Sequence, residues 1–149
     1  MVSSRTDIEI GPARSDDLDA IRGLLQAHNL PRDDLDRHTE TAFVARQDGR
    51  VVGAAALEVY GDGGLLRSVV VAPESRGAGL GKRLVDSVTA LARSRDLPAV
   101  YLLTTTAASY FSKLGFVEVS RDRVPAGVQQ SVEFVSACPA SAAVLMKPL

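Results

Sequence analysis

The sequence predicts a mixed α/β (α+β) fold, with a sheet of about six to seven strands and about four helices. β-branched runs alternate with stretches whose apolar residues recur at helical spacing. Two turn signals, Asp48-Gly49 and Gly61 to Gly64, separate three consecutive strand-like runs and predict an antiparallel meander. A helical stretch then joins two apolar strands, which is the pattern of a parallel strand, helix and strand crossover. No linker or repeat interrupts the pattern, so residues 1–149 are expected to form a single domain.

The predicted elements begin with a short strand, IEIGPA, followed by a helix in SDDLDAIRGLLQAHNL with Ser15 as its N-cap. The segment PRDDLDRHTE is either a loop or a short helix. The three strands of the meander lie within residues 41–73, and GKRLVDSVTALARSRDL forms the next helix. AVYLLTT reads as a buried strand, AASYFSKLGF as a short helix that ends near Gly115, and FVEVS as a strand. A further helix over residues 125–137 and a last strand near AAVLMK complete the prediction.

Composition favours an enzyme or binding domain with small partners. The chain is 46% hydrophobic and 23% charged, and its formal net charge is −1. This balance gives no basic footprint for nucleic acid and no polybasic surface for a membrane. The N-terminus lacks the apolar core of a signal peptide, and no apolar run approaches the ~20 residues that span a bilayer, so we expect a cytoplasmic protein. The one cysteine, Cys138, excludes an intrachain disulfide and a CxxC motif.

Three alternating glycines, Gly77, Gly79 and Gly81, stand between a predicted strand and a predicted helix. Backbone N–H groups and the positive end of a helix converge at such a junction and favour an anion such as a pyrophosphate. The alternative is that the glycines only allow tight packing of strand against helix. The spacing fits neither a GxGxxG dinucleotide motif nor a P-loop, because Arg83 stands where a P-loop needs Ser or Thr.

The stretch VVVAPESRGAGLG resembles the acetyl-CoA signature Q/R-x-x-G-x-G/A of the GNAT acyltransferases, and ASYFSKLGF resembles another element of that family. Arg76, Gly79 and Gly81 occupy the fixed positions. The resemblance implies a GNAT fold in which strands four and five part and acetyl-CoA binds in the slot. It also implies that the diphosphate rests on backbone N–H groups, that Lys82 adds charge at the entrance, and that Val69 and Val71 contact the pantetheine. The implied diphosphate loop consists of Arg76, Gly77, Ala78, Gly79, Leu80 and Gly81.

A narrower resemblance links LEVYGDGGLLRSVVV, YLLTTTAASYFSKLGF and ACPASAAVLMKPL to the small bacterial arsenic-resistance N-acetyltransferases. It implies acetylation of a small amine, with an arsenic- or phosphorus-containing amino acid of the arsinothricin or phosphinothricin kind as the candidate acceptor. Two alternatives stay open: an acetyltransferase of proteins or peptides, and a non-catalytic acetyl-CoA-binding module. Exposed strand edges also make a homodimer a possibility.

Direct transfer requires an uncharged amine and a donor that polarises the thioester carbonyl. We expect the donor to be a strand-four amide near Val70. Glu58, near the end of strand three and facing the acceptor region, is the candidate base, acting through a water. The alternatives are that Glu58 is an exposed strand-end carboxylate and that no base is required, since a free α-amino group has a pKa near 8.

Two positions depart from the family's pattern. Phe111 stands at the cofactor-binding position where many members have a tyrosine that protonates the leaving thiolate, and phenylalanine has no proton to donate. Tyr110 is adjacent, but neighbours on a helix point about 100° apart, so it lines the acceptor pocket or packs in the core. Thr104 falls where relatives often have asparagine; with Thr105 and Thr106 it could bind cofactor or relay protons, or one of the three caps the following helix.

Arg67 is the candidate anchor for the acceptor. Strand alternation places it on the same sheet face as Val69 and Val71. A guanidinium suits bidentate recognition of a carboxylate, arsinate or phosphinate, and a salt bridge to Glu58 on the neighbouring strand is the alternative. Residues 123–139 are long for a connection and form a lid, a packing element or a dimer contact. The ligand-rich stretch from His28 to His38 matches no metal motif, so no metal is expected.

Overall fold

The computed structural model describes residues 8–77, 79–137 and 141–149. Its centre is a seven-stranded sheet with the order β1-β2-β3-β4-β5-β7-β6, in which β4 and β5 are parallel and the other neighbours antiparallel. The sequence-based prediction of the fold class is therefore confirmed. The strands are β1 (Glu9–Pro12), β2 (Ala42–Gln47), β3 (Arg50–Tyr60), β4 (Gly63–Val71), β5 (Ala99–Thr104), β6 (Val117–Val119) and β7 (Ala143–Pro148).

Three α-helices accompany the sheet: α1 (Leu18–Ala27), α2 (Leu80–Ser94) and α3 (Ala108–Lys113). The segment PRDDLDRHTE contains a 3-10 stretch, Leu35–Thr41. The predicted helix over residues 125–137 is instead a short 3-10 turn, Val128–Gln130, and a π-helical turn, Glu133–Ala137. Within the described ranges, no helix is long and apolar enough to cross a membrane.

The start of α1 differs from the prediction that Ser15 is its N-cap. A 3-10 turn, Ser15–Asp17, precedes the helix, and the Asp17 carboxylate accepts the backbone N–H of Arg14 at 2.7 Å. Asp17 also forms a bidentate ion pair with Arg46 on β2. Asp17, not Ser15, is the N-cap residue of α1, and its side chain is held by these contacts to Arg14 and Arg46 rather than by a hydrogen bond to the first turn of the helix.

The two long helices cover opposite faces of the sheet. Ile21 and Leu25 of α1 pack with small and β-branched residues of β2, β3 and β4, whereas α2 packs its apolar stripe on the other face. β3 is buried on both faces over most of its length, which explains its nearly continuous apolar sequence.

Strands β4 and β5 pair only at one end. Their register partners are Gly64 with Val100 and Leu65 with Tyr101, although β4 continues to Val71 and β5 to Thr104. The two strands therefore part beyond Leu65, as expected for a splayed sheet. The gap between them is the place where backbone groups of β4 are left for another partner.

A β-bulge interrupts β4 at Ser68. Ala56 lies opposite Arg67 and Ala54 opposite Val70, so two residues of β4 separate these pairs where β3 has one. Ser68 accordingly has a positive φ of 59°. The bulge resets the side-chain alternation. The prediction that Arg67 shares a face with Val69 and Val71 was therefore wrong: Arg67 lies on the α1 side with Val70, whereas Val69 and Val71 pack towards α2.

Candidate active site

A cleft of about 550 Å³ opens where β4 ends and α2 begins. The parting of β4 from β5 forms one wall, and the loop before α2 and the start of α3 form the others. This cleft, the cofactor cleft below, is lined by Val69, Val70, Val71, Arg76, Gly77, Gly79, Leu80, Gly81, Ala107 and Tyr110. It therefore contains eight of the residues that the sequence predicted for the cofactor and the reacting carbonyl, of which Val70 was the one assigned to the carbonyl.

Gly77 and Gly79 stand where the loop requires a positive φ. Gly77 and Gly79 have φ values of 92° and 73°, which L-residues with a side chain rarely adopt, and nothing stands within 4 Å of an added Cβ. Gly79 in this conformation is the N-cap residue of α2 and turns the chain into the helix. Ala78, also predicted to bind cofactor, lies outside the described residues. The glycines and the 15-residue helix α2 thus direct a positive helix end towards the cofactor cleft.

The two cations of the predicted diphosphate site are already partnered. The Arg76 side chain donates from Nε to the Val71 carbonyl at 3.1 Å and lies 3.3 Å from Nδ1 of His28, and its backbone N–H donates to the Pro73 carbonyl. Lys82 pairs with Asp86 one helical turn on, at 2.8 Å, and does not line the cofactor cleft. The loop therefore offers backbone groups to an anion, while Arg76 holds the end of β4 in place.

Tyr110 and Phe111 are neighbours on α3 but have different surroundings. Tyr110 is 40% exposed and lines the cofactor cleft, so both predicted placements, in the acceptor pocket or in the core, were wrong. Its hydroxyl would lie 2.2 Å from a Cβ added to Gly81, which explains why this helical position is glycine. Phe111 is buried, packs edge-on against Tyr110 and Phe116, and lines a second cavity rather than the cofactor cleft. The cofactor-binding prediction for Phe111 therefore does not match its position.

The second cavity, of about 300 Å³, is the acceptor cavity below. It lies between β4 and β5 and is closed by the loop after α1 and by the segment after β6. Val69 and Ala107 line both cavities, so the two spaces adjoin at the bulge of β4. Its described lining consists of Asn29, Leu30, Pro31, Leu66, Arg67, Ser68, Val69, Leu102, Leu103, Thr104, Thr105, Thr106, Ala107, Phe111, Glu133 and Ala142.

Arg67 is buried between two carboxylates. Its side chain is fully buried; Nη1 donates to Glu58 at 2.8 Å, and Nε donates to the Ser68 hydroxyl at 3.1 Å and lies 3.3 Å from Glu133. Among the described residues, its Nη2 finds no hydrogen-bond partner. The predicted salt bridge to Glu58 is confirmed. Because Nε and Nη1 are engaged by the protein, Nη2 is the nitrogen left to a ligand, and a bidentate grip would first have to displace a carboxylate.

Glu58 is buried beneath Arg67 and does not line the acceptor cavity. Its Oε1 accepts the Tyr60 hydroxyl, and its Oε2 accepts Arg67 and lies 3.5 Å from Nε2 of His38. The interpretation of Glu58 as an exposed strand-end carboxylate was wrong, and the expectation that it faces the acceptor is not met. Burial, together with the Glu58 carboxylate, raises the pKa of Tyr60, so this hydroxyl stays protonated and donates to Glu58.

Sequence reasoning missed Glu133, the carboxylate that does line the acceptor cavity. It is 4% exposed and belongs to the π-helical turn after β6. Burial raises its pKa to about 7; Arg67 acts in the opposite direction, and Glu58 and Asp33 add to the increase. A lone glutamate within an apolar stretch was the available sequence signal, because such a residue is seldom buried without a partner.

The segment after β6 both packs and lines the site. Val124 and Val128 are buried against β4 and β5, and the Gly127 N–H donates to Asp62 in the turn between β3 and β4 at 2.8 Å. Cys138 and Pro139, which belong to the predicted lid, lie outside the described residues. Thr104 lines the acceptor cavity, and its hydroxyl accepts the N–H of Ala107, the N-cap residue of α3, at 2.9 Å. The N-cap residue of α3 is therefore Ala107 and not one of the three threonines, and Thr104 binds the backbone of that residue.

The comparisons with known proteins agree with this geometry. The model of the acetyltransferase (GNAT) domain family matches residues 38–118. An amino-acid acetyltransferase of Ralstonia nicotianae is 34% identical over 132 residues, which cover 82% of this chain and 29% of that protein. Another, from Pseudomonas fluorescens strain Pf0-1, is 34% identical over 97 residues. The chain thus spans about a quarter of the length of the curated relatives that it matches.

Solved structures show the same fold. A Mycobacterium tuberculosis protein in complex with CoA has a TM-score of 0.80 and 27% identity, covering 95% of this chain and 99% of that one. N-acetylglutamate synthase from Neisseria gonorrhoeae, complexed with coenzyme A and N-acetyl-glutamate, has a TM-score of 0.82 and 24% identity, over 95% of this chain and 35% of that one. The narrower resemblance to arsenic-resistance enzymes stays a prediction. The chain belongs to the GNAT acetyltransferase family, whose cofactor is acetyl-CoA.

Proposed function

We propose that this chain transfers the acetyl group of acetyl-CoA to the amino group of a small amino acid. The observation that carries the proposal is the contact between the two spaces: the cofactor cleft and the acceptor cavity share Val69 and Ala107 at the bulge of β4. A thioester lying along β4 would present its carbonyl at this junction. An acceptor of a few heavy atoms fits a cavity of about 300 Å³.

The acceptor is proposed to carry a carboxylate that Arg67 binds. Arg67 lines the cavity with one guanidinium nitrogen, Nη2, that is buried and unsatisfied among the described residues. A buried donor without an acceptor is costly, and an anionic ligand would relieve that cost. Relatives of this chain are amino-acid acetyltransferases, which supports the same class of acceptor. Arsinothricin- and phosphinothricin-type amino acids also carry an amine and an anionic group, so they remain candidates.

The backbone of β4 is proposed to polarise the thioester carbonyl. A bulge leaves its extra residue out of the ladder, so backbone groups near Ser68 to Val70 can point towards the parted strands. Thr104 is proposed to shape the acceptor cavity through its bond to Ala107 rather than to bind cofactor.

The test is the release of free CoA from acetyl-CoA with a panel of amines: glutamate, neutral amino acids, phosphinothricin, arsinothricin, a polyamine, an aminoglycoside and a lysine peptide. We expect turnover with amino acids that have a free carboxylate. Arg67→Ala and Arg67→Lys should both lose it, the second because an ammonium cannot donate from three nitrogens in one plane. Arg93→Ala, which removes an exposed arginine of α2, is the matched control and should keep full activity.

The panel also separates the alternatives. Turnover of the lysine peptide alone would favour a protein acetyltransferase, and preference for arsinothricin and phosphinothricin over glutamate would favour the arsenic-resistance assignment. Binding of acetyl-CoA without turnover of any amine would favour a non-catalytic module and would overturn the proposal.

A further inference from the structure

The acceptor cavity contains a positive and a negative group side by side. Among its described lining residues, the charged ones are Arg67 and Glu133, from β4 and from the turn after β6. Glu133 Oε2 lies 3.3 Å from Arg67 Nε, and the two side chains are 6% and 0% exposed, respectively. An α-amino acid carries its carboxylate and its ammonium on one carbon. A carboxylate bound by Arg67 therefore brings the ammonium into the same small space as Glu133.

We propose that Glu133 is the catalytic base, which accepts a proton from the ammonium group of the bound amino acid; this rests on the proposed function. The acceptor enters as a zwitterion whose nitrogen carries three protons and has no lone pair. Glu133 takes one proton and becomes a neutral carboxylic acid. The nitrogen lone pair then forms the N–C bond to the thioester carbonyl carbon, and the C–S bond breaks with its electron pair on sulfur.

The remaining protons balance the reaction. After the N–C bond forms, the nitrogen still bears a positive charge and loses a second proton, which neutralises the CoA thiolate. The products are the N-acetyl amino acid and CoA. Glu133 releases its proton to solvent and is ready for the next acceptor. One proton is released in each cycle, and no oxidant or metal is involved.

The surroundings of Glu133 suit this step. Burial raises its pKa to about 7, so the carboxylate is basic enough to take a proton and is still about half ionised at pH 7. Arg67 from β4 opposes that increase, while Glu58 from β3 and Asp33 from the loop before β2 add to it. Behind Glu58 stand the Tyr60 hydroxyl and His38.

Glu58 cannot do the same work from its position. It does not line the cavity, and its oxygens accept Tyr60 and Arg67. Its place is that of a positioning residue, which holds the Nη1 side of the guanidinium so that Nη2 remains for the acceptor. The two glutamates therefore divide the roles that sequence reasoning gave to Glu58 alone.

The experiment measures kcat/KM between pH 5.5 and 9 for the best amino-acid acceptor, with wild type, Glu133→Gln, Glu133→Asp and the control Glu118→Gln. Glu118 is an exposed carboxylate on β6, so its removal tests the loss of a charge outside the site. For wild type and the control, kcat/KM should rise about tenfold per pH unit and level off near pH 7, at the pKa of Glu133.

Glu133→Gln must use the small fraction of free amine, so its kcat/KM should rise without a plateau up to the pKa of the amine. The loss should be about 100-fold or more near pH 7 and should shrink at higher pH. Glu133→Asp retains a carboxylate and should keep the plateau at a lower rate. A cooperative melting transition and an unchanged acetyl-CoA affinity would show that each variant is folded.

Two outcomes would overturn the proposal: a Glu133→Gln profile parallel to wild type, with the same loss at every pH, or a Glu133→Asp profile without a plateau. Each leaves the proposed function intact, because wild type still turns over. Absence of wild-type turnover with every amino acid would overturn both, because no ammonium would then be presented to Glu133.

Discussion

Gly81 is restricted by a neighbouring side chain, whereas Gly77 and Gly79 are restricted by their own backbone conformation. Gly81 lies in α2 at an ordinary helical position, where alanine would favour the helix. A Cβ there would, however, lie 2.2 Å from the Tyr110 hydroxyl and 3.3 Å from its Cζ. The clash therefore involves the hydroxyl far more than the ring.

This geometry predicts a rescue. Gly81→Ala should weaken acetyl-CoA binding by about tenfold, or ~1.4 kcal/mol, because the Tyr110 ring must move within the cofactor cleft. Gly81→Ala combined with Tyr110→Phe should recover most of that loss, since Phe lacks the clashing oxygen. Titration calorimetry of the four members of the cycle measures the coupling.

Gly79→Ala is the matched comparison. An alanine Cβ at this position would meet open space, but the φ of 73° is strained for alanine. The substitution should therefore cost roughly 1–2 kcal/mol of backbone strain. Tyr110→Phe should give no rescue there. Equal rescue at both glycines, or none at Gly81, would show that the Tyr110 hydroxyl is not the reason why Gly81→Ala weakens acetyl-CoA binding.

Arg67 is buried with two carboxylate partners, Glu58 and Glu133. A lone guanidinium in a water-free site would cost several kcal/mol, and Glu58 alone would neutralise it. Adding Glu133 makes the group of three negative overall when both carboxylates are ionised. Burial raises the pKa of Glu133, and the nearby Glu58 carboxylate adds to the increase. An ammonium group that enters the cavity would add a positive charge to this cluster.

At the scale of elements, patterns that are local in sequence predicted the fold well. The apolar stripe of α1, the Asp48-Gly49 turn and the β-branched run of β4 each depend on residues within one or two turns, and all are found in the structure. The glycine loop likewise lies where a strand meets a helix. These elements were predictable because their own residues determine them.

The bulge at Ser68 could not be predicted in this way. It changes the face of Arg67 without any glycine or proline to mark it, because serine itself occupies the positive-φ position. Glu133 was missed for a different reason: it reaches Arg67 across 66 residues of sequence, through a segment without helical or strand periodicity. Contacts of that kind depend on how whole elements pack.

One of the polar bonds that fix the segment after β6 to the sheet runs from the Gly127 N–H to Asp62. Asp62→Ala should loosen this segment and move Glu133. We expect KM for the acceptor to rise about tenfold, a loss of ~1.4 kcal/mol, while the affinity for acetyl-CoA is unchanged, because the cofactor cleft does not include the segment. Steady-state kinetics and calorimetry measure the two quantities.

Hydrogen exchange provides an independent readout of the same change. Amides of residues 124–133 should exchange faster in Asp62→Ala, while those of α2 should not change. Asp19→Ala, at a fully exposed position of α1, is the control and should behave as wild type. A rise in KM without faster exchange in residues 124–133 would argue against a loosened segment.

At the scale of the whole molecule, the cluster around Arg67 links stability to pH. The pKa of Glu133 is about 7 in the folded protein and 4.5 as the ordinary value. Between these values the folded state binds a proton that the unfolded state has released, so stability falls as pH rises. The lowered pKa of Asp17 acts in a different window, because its stabilisation is lost only as the pH falls below the ordinary value of 3.8.

Glu133→Gln should therefore remove the part of the pH dependence of stability that is due to Glu133. Relative to this variant, the wild-type free energy of unfolding should decrease by up to ~3 kcal/mol between pH 4.5 and 7 and then stay level, since each pKa unit corresponds to about 1.4 kcal/mol. Urea denaturation at four pH values measures the difference, and common shifts from other groups cancel between the two proteins. Parallel curves would show that Glu133 is ionised as easily in the folded chain as in the unfolded one, and that the cavity imposes no cost on its charge.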